Sequence, residues 1–287
     1  VRISGWCVGL LTCVWLATTP AARAEERLEP ERLEPERIDY TAYTLRRNEF
    51  LVGVGSAAYG IFDQMTIGTY VLPWFAFPLL DAPIATGFLK VRDWFSGPVT
   101  VSLRGTFVYL DATTLSSKLL KDTSTEASLL VVPITLGASW RISEVATQSL
   151  ELMWVHVRVG GDMPNDTSID AGLGGASTAS SATLSALSEL RVNREFAVTL
   201  RGTLLLGFSD IVVRADYERR DTRVNAKLGA QANYPSVVGN IIPGVAFSWT
   251  HVNLHLGLGF GSNWLPIVGI PTRQVTLVPD ADFYVRF

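Results

Sequence analysis

Cysteine is nearly absent: the 287-residue chain has two, Cys7 and Cys13, both close to its start. The remainder holds none, which excludes disulfide staples, thiol catalysis and cysteine-ligated metal there. Histidine is scarce too, with three residues, His156, His251 and His255. Charged residues make up only 18% of the chain, and no basic stripe is concentrated anywhere, so a nucleic-acid partner is not expected. Beyond the N-terminal region there is no uncharged apolar run of the roughly 18 residues a helix needs to span a bilayer. Yet the chain is 48% hydrophobic, with a mean hydropathy of +0.25. An apolar chain without long apolar runs carries its hydrophobicity by alternation.

Phe196 to Ser209, FAVTLRGTLLLGFS, shows that alternation most clearly. One set is Phe196, Val198, Leu200, Gly202, Leu204, Leu206 and Phe208; the other holds Ala197, Thr199, Arg201 and Thr203. Period two with one apolar and one wetter face is the signature of a β-strand. At roughly 3.3 Å per residue and about 45° of tilt, the two bounding phenylalanines lie about 28 Å apart along a barrel axis. That matches the apolar band and aromatic girdles of an outer-membrane β-barrel strand. The fold class expected is all-β: an antiparallel transmembrane β-barrel preceded by a signal peptide.

The pattern recurs along the chain between segments rich in turn residues. Strands are expected near 38–45, 48–61, 65–74, 85–95, 99–110, 128–142, 149–160, 180–192, 196–209, 238–249, 252–264 and 274–287. That makes about 12, with 210–237 able to extend as two strands above the membrane. Short and long connections alternate through most of the chain, as tight periplasmic turns and external loops do. Tyr109, Phe208 and Trp264 are expected in the external aromatic girdle, and Trp140, Phe196 and Trp249 in the periplasmic one.

The N-terminal region reads as a secretory signal over 1–24, with Arg2 as the basic segment, Ile3–Leu16 apolar and Ala22-Arg23-Ala24 as the cleavage site. Lipid attachment at Cys13 is disfavoured by the threonine just before it. Residues 25–37, EERLEPERLEPER, repeat a charged, proline-bearing unit and cannot bury a core. They are expected to be a solvated periplasmic linker, with the barrel occupying 38–287.

The last strand alternates Ala281, Phe283, Val285 and Phe287 with Asp280, Asp282, Tyr284 and Arg286, and ends on phenylalanine. This resembles the C-terminal assembly signal of bacterial outer-membrane proteins, carried here by Phe283, Val285 and Phe287. The resemblance implies a Gram-negative outer membrane, contact with its lipid and insertion by the barrel-assembly machinery. A second stretch, Tyr59 to Thr69 (YGIFDQMTIGT), is similar to the tyrosine-glycine-aliphatic-x-aspartate turn of small transporter-like barrels in the meta-pathway phenol degradation family. That resemblance implies passage of hydrophobic small molecules.

Strand parity places Lys90, Arg92, Arg104, Arg141, Arg158, Arg191, Arg201 and Arg286 on the lumen side, with Glu189, His255, Asp280 and Asp282. An unpaired guanidinium in a narrow lumen is costly, so each must meet a carboxylate or water. Partial pairing is expected, leaving a weak preference for anions. His156 and His255 are expected to be lumenal and His251 to lie in a turn, none beside a serine–acid pair. Catalysis is therefore not expected. The loop 161–181 holds Asp162, Asn165, Asp166 and Asp170, but their spacing fits no calcium loop, and neither metal nor cofactor is expected. The connection 73–84, PWFAFPLLDAPI, is unusually apolar and could gather a hydrophobic solute or pack on its own neighbours. Three function classes follow: passage or uptake of a small-molecule solute first, a structural barrel with a plugged lumen second, and a lipid-modifying enzyme third.

Overall fold

The computed structural model describes residues 40–75, 83–93, 98–111, 126–163, 171–208, 211–219, 222–230, 238–264 and 271–287. The proposed signal and linker, 1–37, lie outside these, as do most of the apolar connection (76–82) and residues 164–170 of the acidic loop. The described strands are β1 (Phe50–Gly53), β2 (Ser56–Phe62), β3 (Met65–Tyr70), β4 (Ile84–Arg92), β5 (Val99–Asp111), β6 (Glu126–Arg141) and β7 (Ala146–Met163). They continue with β8 (Ala171–Arg191), β9 (Phe196–Phe208), β10 (Ile211–Arg219), β11 (Thr222–Ala230), β12 (Val238–Ser248), β13 (Val252–Trp264) and β14 (Pro271–Arg286).

Every pairing is antiparallel, and β1 to β9 followed by β12, β13 and β14 close into a ring of twelve. The hairpin β10–β11 stands outside that ring. It pairs with β8 over Ala171–Thr178, whereas β8 pairs with β9 over Ser181–Arg191. A register shift at Ala182/Thr183 marks where β9 ends its ladder with β8. One 21-residue strand thus serves the wall below and the hairpin above.

The count of twelve agrees with expectation, but two of its members differ. Residues 40–45 form no strand; they run inside the barrel. The expected strand 48–61 is instead two, because the chain reverses at Val54-Gly55 and sends β2 back down beside β1. β3 also ends early, at Tyr70, and a short helical turn covers residues 72–75. β1, β2 and β3 have only 4, 7 and 6 residues, so the wall is lowest there.

The outer face carries the apolar set. On β5, Leu103 and Phe107 are 54% and 47% exposed while Ser102 and Thr106, each just before one of them, are buried. On β13, Leu256, Leu258 and Phe260 are exposed, with Asn253 and His255 buried. A band of this extent, encircling the molecule with no second layer over it, is stable only against lipid. The chain is a transmembrane β-barrel. Among the described residues no helix is long and apolar enough to cross a membrane.

Two ends are distinguishable. The turn end holds the tight connections 63–64, 142–145, 192–195 and 249–251 together with Phe287; the opposite end of the strands is called the loop end. At the turn end Phe247 stacks on Trp249 at 6.0 Å and meets Phe196 in a tilted contact at 5.2 Å. Trp140 is half-buried on the same outward parity, and Tyr109 is exposed near the loop end. The side chains of Phe208 and Trp264 lie outside what is described.

The ring closes where β14 meets β1, and this seam is short. It pairs Leu51 with Arg286, Val52 with Val285 and Gly53 with Tyr284. Two backbone hydrogen bonds join Phe50 and Phe287, at 3.1 and 2.9 Å. Glu49 adds an ion pair to Arg286 at 2.7 Å. Phe283 and Phe287 point outward, 43% and 71% exposed. Deleting Phe287 removes both terminal backbone bonds as well as the aromatic side chain. The variant is expected to insert slowly and to lose most of its heat-modifiable band in gel-shift assays; normal amounts of folded barrel would discount the C-terminal signal.

Candidate functional site: the lumen and its N-terminal segment

The lumen is occupied near the turn end by the chain's own residues 40–47. This stretch joins no sheet, so its backbone polar groups must find partners among wall side chains. Ala42 N–H donates to Ser139 Oγ at 2.7 Å, and Leu45 N–H to Thr66 Oγ1 at 2.9 Å. The carbonyl of Thr41 accepts from Lys90 Nζ at 2.6 Å. Thr44 Oγ1 donates to the carbonyl of Asp63 at 2.6 Å, and Arg47 N–H to the Asp63 carboxylate at 2.8 Å. Ala42 and Leu45 are fully buried. Leu45 packs with Leu51, Ala58 and Tyr284, and Phe88 lies against them. Short threonine and serine hydroxyls suit this work, because they reach a backbone a few ångströms from the wall without filling the lumen.

The stretch Tyr59–Thr69 turns out to be the cradle of that segment. Tyr59 Oη donates to Asn48 Oδ1 at 2.9 Å, Asp63 caps Arg47, and Thr66 receives Leu45. Gly60 exchanges backbone bonds with Asn48 and Glu49 at 2.8 and 2.9 Å. A Cβ on Gly60 would collide with the carbonyl oxygen of Arg46. Glycine is therefore needed where the segment leaves the lumen and turns into β1, a turn that Asn48 completes at a φ of 62°.

The polar wall lies on β8, β9, β12, β13 and β14. Thr199, Gly244, Gly257 and Asp280 form one register row across four strands. The two glycines leave a trough, in which a Cβ on Gly244 would come within 3.0 Å of His255 Nε2. The His255 imidazole bridges the trough, with Nε2 3.0 Å from Thr199 Oγ1 and Nδ1 3.5 Å from Asp280 Oδ2. Asp280 also meets Arg201 Nη2 at 3.3 Å, and the Arg201 guanidinium lies over the Tyr40 ring at 4.1 Å. The wall thereby grips the N-terminal segment. Asn240 Oδ1, Asn253 Oδ1 and Arg201 Nε and Nη1 are buried without a protein partner in this wall, positions where ordered water is expected.

The expected lumen residues fall out as follows. Glu189 pairs with Arg191 at 3.0 Å, Asp280 with Arg201, and Arg286 with Glu49. Lys90 is 3% exposed and binds the N-terminal segment. Arg104, opposite Lys90 in the ladder, and Asp282, opposite His255, share the inward parity and have partners of their own. Arg92 and Arg141 keep inward parity at the turn end, Arg141 being exposed.

Two expectations are overturned. Arg158 and His156 are not lumenal: on β7 Ser149, Glu151, Val155 and Val157 are buried, while Leu152, Trp154 and Arg158 are exposed. The register agrees, since inward Ser139 faces Ser149 and inward Gly137 faces Glu151. The valines alternating with His156 and Arg158 belong to an inner apolar cluster, which inverts the parity a lipid-facing strand would show. His255, for its part, does stand beside a hydroxyl and an acid, because glycines bring Thr199 and Asp280 onto its ring. Sequence reasoning also missed Glu151 and Glu49, the first through the inverted parity and the second because it stands at the head of the expected strand 48–61, just ahead of where β1 begins.

The inner apolar cluster comprises Val108, Val131, Val155 and Val157, with Leu129 and Met153 packed against it. These residues sit on β5, β6 and β7 toward the loop end, above the level of Ser139. A water-filled barrel interior is polar; this part is not. Replacing Thr199 with valine leaves His255 Nε2 without its hydroxyl partner. The expected loss is about 1–3 kcal/mol of stability, read as an earlier urea midpoint, with conductance unchanged in pattern.

No family model matches the chain, and no curated protein matches it in sequence. Solved barrels resemble it in shape. The Ralstonia pickettii toluene transporter TbuX is 9% identical with a TM-score of 0.41, over 83% of this chain and 85% of that one. The translocator domain of the autotransporter NalP from Neisseria meningitidis is 8% identical with the same score, over 83% of each chain. The TodX monoaromatic hydrocarbon channel is 8% identical at 0.38, over 85% of this chain and 89% of that one. The barrel architecture itself is defined by the strand register.

Proposed function

We propose that the chain is an outer-membrane channel for small, apolar-bodied solutes that rests closed on its own N-terminal segment. One observation carries this reading: residues 40–45 lie in the lumen, held by contacts with the wall, and belong to no ladder. Displacing them breaks hydrogen bonds, the Arg201–Tyr40 contact and the packing of Leu45 against Leu51, Ala58 and Tyr284, and leaves the twelve-stranded ring intact. A strand could not leave so cheaply. The solute class follows from the inward valines, which offer an apolar surface where a general diffusion pore would be polar, and from the resemblance of Tyr59–Thr69 to the phenol-degradation barrels. The turn end would face the periplasm and the loop end the exterior.

The reading is tested by titrating the detergent-folded barrel with a monoaromatic hydrocarbon and, separately, a neutral sugar. Hydrocarbon binding with a negative heat-capacity change is expected, weakened when Val155 is replaced by asparagine. Binding of the sugar alone would overturn the solute class. A second reading, hydrolysis by a Thr199–His255–Asp280 relay, is favoured by the 3.0 Å contact of Thr199 with His255, although Asp280 stands 3.5 Å from the ring and forms no hydrogen bond with it. Against it, Thr199 is 2% exposed and Asp280 is shared with Arg201, so we read the relay as structural. Ester hydrolysis abolished by Thr199→Val would reverse that choice.

A further inference from the structure

The outer face of β7 breaks the apolar band. Trp154, His156 and Arg158 follow one another on the lipid side, where β6 presents Ile134, Val132 and Leu130 and β8 carries Ala182, Ser180 and Thr178 in the same rows. The His156 ring stacks on Trp154 at 5.7 Å with an interplanar angle of 20°, and its Nδ1 lies 3.0 Å from Ser180 Oγ on β8. Both contacts hold the imidazole flat against the wall. Arg158 is exposed, and among the described residues it has no carboxylate within ion-pair distance.

Its height can be read from the register. Arg158 pairs with Leu130, which pairs with Tyr109, so all three share one row. The next row of the same outward parity toward the loop end is Asp111, Ser128 and Gly160, already polar. Arg158 therefore stands at the upper edge of the apolar band. An arginine costs about 2–4 kcal/mol at the bilayer midplane and about 0–1 near the interface. The position is tolerable if its charge meets an anion there, and the exterior leaflet supplies one in its headgroups.

We propose that Arg158, with His156 and Ser180 beside it, binds the phosphate of an external-leaflet lipid headgroup. The guanidinium supplies a charge-assisted contact to the phosphate oxygens. Trp154 lies along the uppermost acyl segment as an interfacial aromatic does. The site is on the outside of the barrel, so it stands or falls independently of the solute reading.

The test uses the full chain folded in nanodiscs of digalactosyl diacylglycerol, a neutral lipid without phosphate, doped with a bis-phosphorylated diglucosamine lipid, then extracted and weighed by native mass spectrometry. The wild type is expected to retain one phosphorylated lipid. Arg158→Gln should lower that retention roughly tenfold, the change that loss of one charged contact produces. Arg141→Gln, at the opposite end of the barrel, should leave it unaltered and shows that net charge is not the cause. Retention equal in wild type and Arg158→Gln, or a wild type that keeps neutral lipid as readily, overturns the site. Far-ultraviolet spectra and gel shift confirm that each variant is folded before the comparison is made.

Discussion

A barrel carrying Lys90→Met and Ser139→Ala is expected to conduct in a planar bilayer far more often than the wild type. The two residues hold opposite sides of one stretch: Lys90 Nζ takes the carbonyl of Thr41, and Ser139 Oγ takes the N–H of Ala42. Without them two buried backbone groups in adjacent residues have lost their partners. Each such loss costs about 1–3 kcal/mol, and a shift of that size changes a closed-to-open ratio by one to several powers of about ten. The ring strands keep their ladders, so the folded barrel should remain. Open-channel current, recorded with a folded gel-shift band, is the measurement. A double variant as silent as the wild type would show that the segment is a permanent core element, and the structural-barrel reading would replace the channel. Replacing Gly60 with valine offers an independent approach, because the side chain would press on the carbonyl of Arg46 and lift the segment from its cradle.

How much of this could be read from the chain alone depends on which physical signal each part carries. The wall was legible because a lipid-facing strand must alternate; β5, β9, β13 and β14 keep the inward and outward sets that their residues imply. The hairpin β10–β11 was legible as an extension because the segment 210–237 is longer than a turn needs and shorter than two further spans with loops. The N-terminal segment was not. Its residues, Tyr-Thr-Ala-Tyr-Thr-Leu over 40–45, include the aromatic and β-branched types that strands favour, and nothing local tells a chain in the lumen from one in the wall. Only the partners decide: Ser139, Thr66 and Lys90 lie 97, 21 and 49 residues away from the groups they bind. β7 was misread for a related reason. Its inner face is as apolar as its outer one, so period two survives while its phase reverses. The Thr199–His255–Asp280 contact depended on Gly244 and Gly257 lining up across neighbouring strands, a matter of register that hydropathy does not encode.

These errors share a cause that also supports the gating idea. Each arises where the interior is filled by the protein itself: by the N-terminal segment at the turn end, and by the valines of β5–β7 nearer the loop end. A simple pore would have shown one wet face throughout, and its strands would have been read correctly. The parts of the barrel that defeat alternation are those that close it.

Replacing Leu256 with arginine is expected to lower the stability of the folded barrel by about 2–4 kcal/mol. Leu256 lies in the outward set of β13, 44% exposed, facing Ala281 and Val245 across the neighbouring strands. No carboxylate shares that surface row, so a guanidinium there meets only hydrocarbon. Depth decides the size of the effect. Val252 belongs to the same outward set but adjoins the turn 249–251, so Val252→Arg should cost about 0–1 kcal/mol. The comparison keeps the strand, the face and the substituted residue constant and varies only distance from the membrane centre. Urea unfolding of both variants in lipid vesicles measures it, with the wild type as reference. A large loss for Leu256→Arg beside a small one for Val252→Arg locates the bilayer on β13. Equal losses would place the hydrocarbon centre elsewhere on the wall, and two negligible losses would mean that the exposed band faces water.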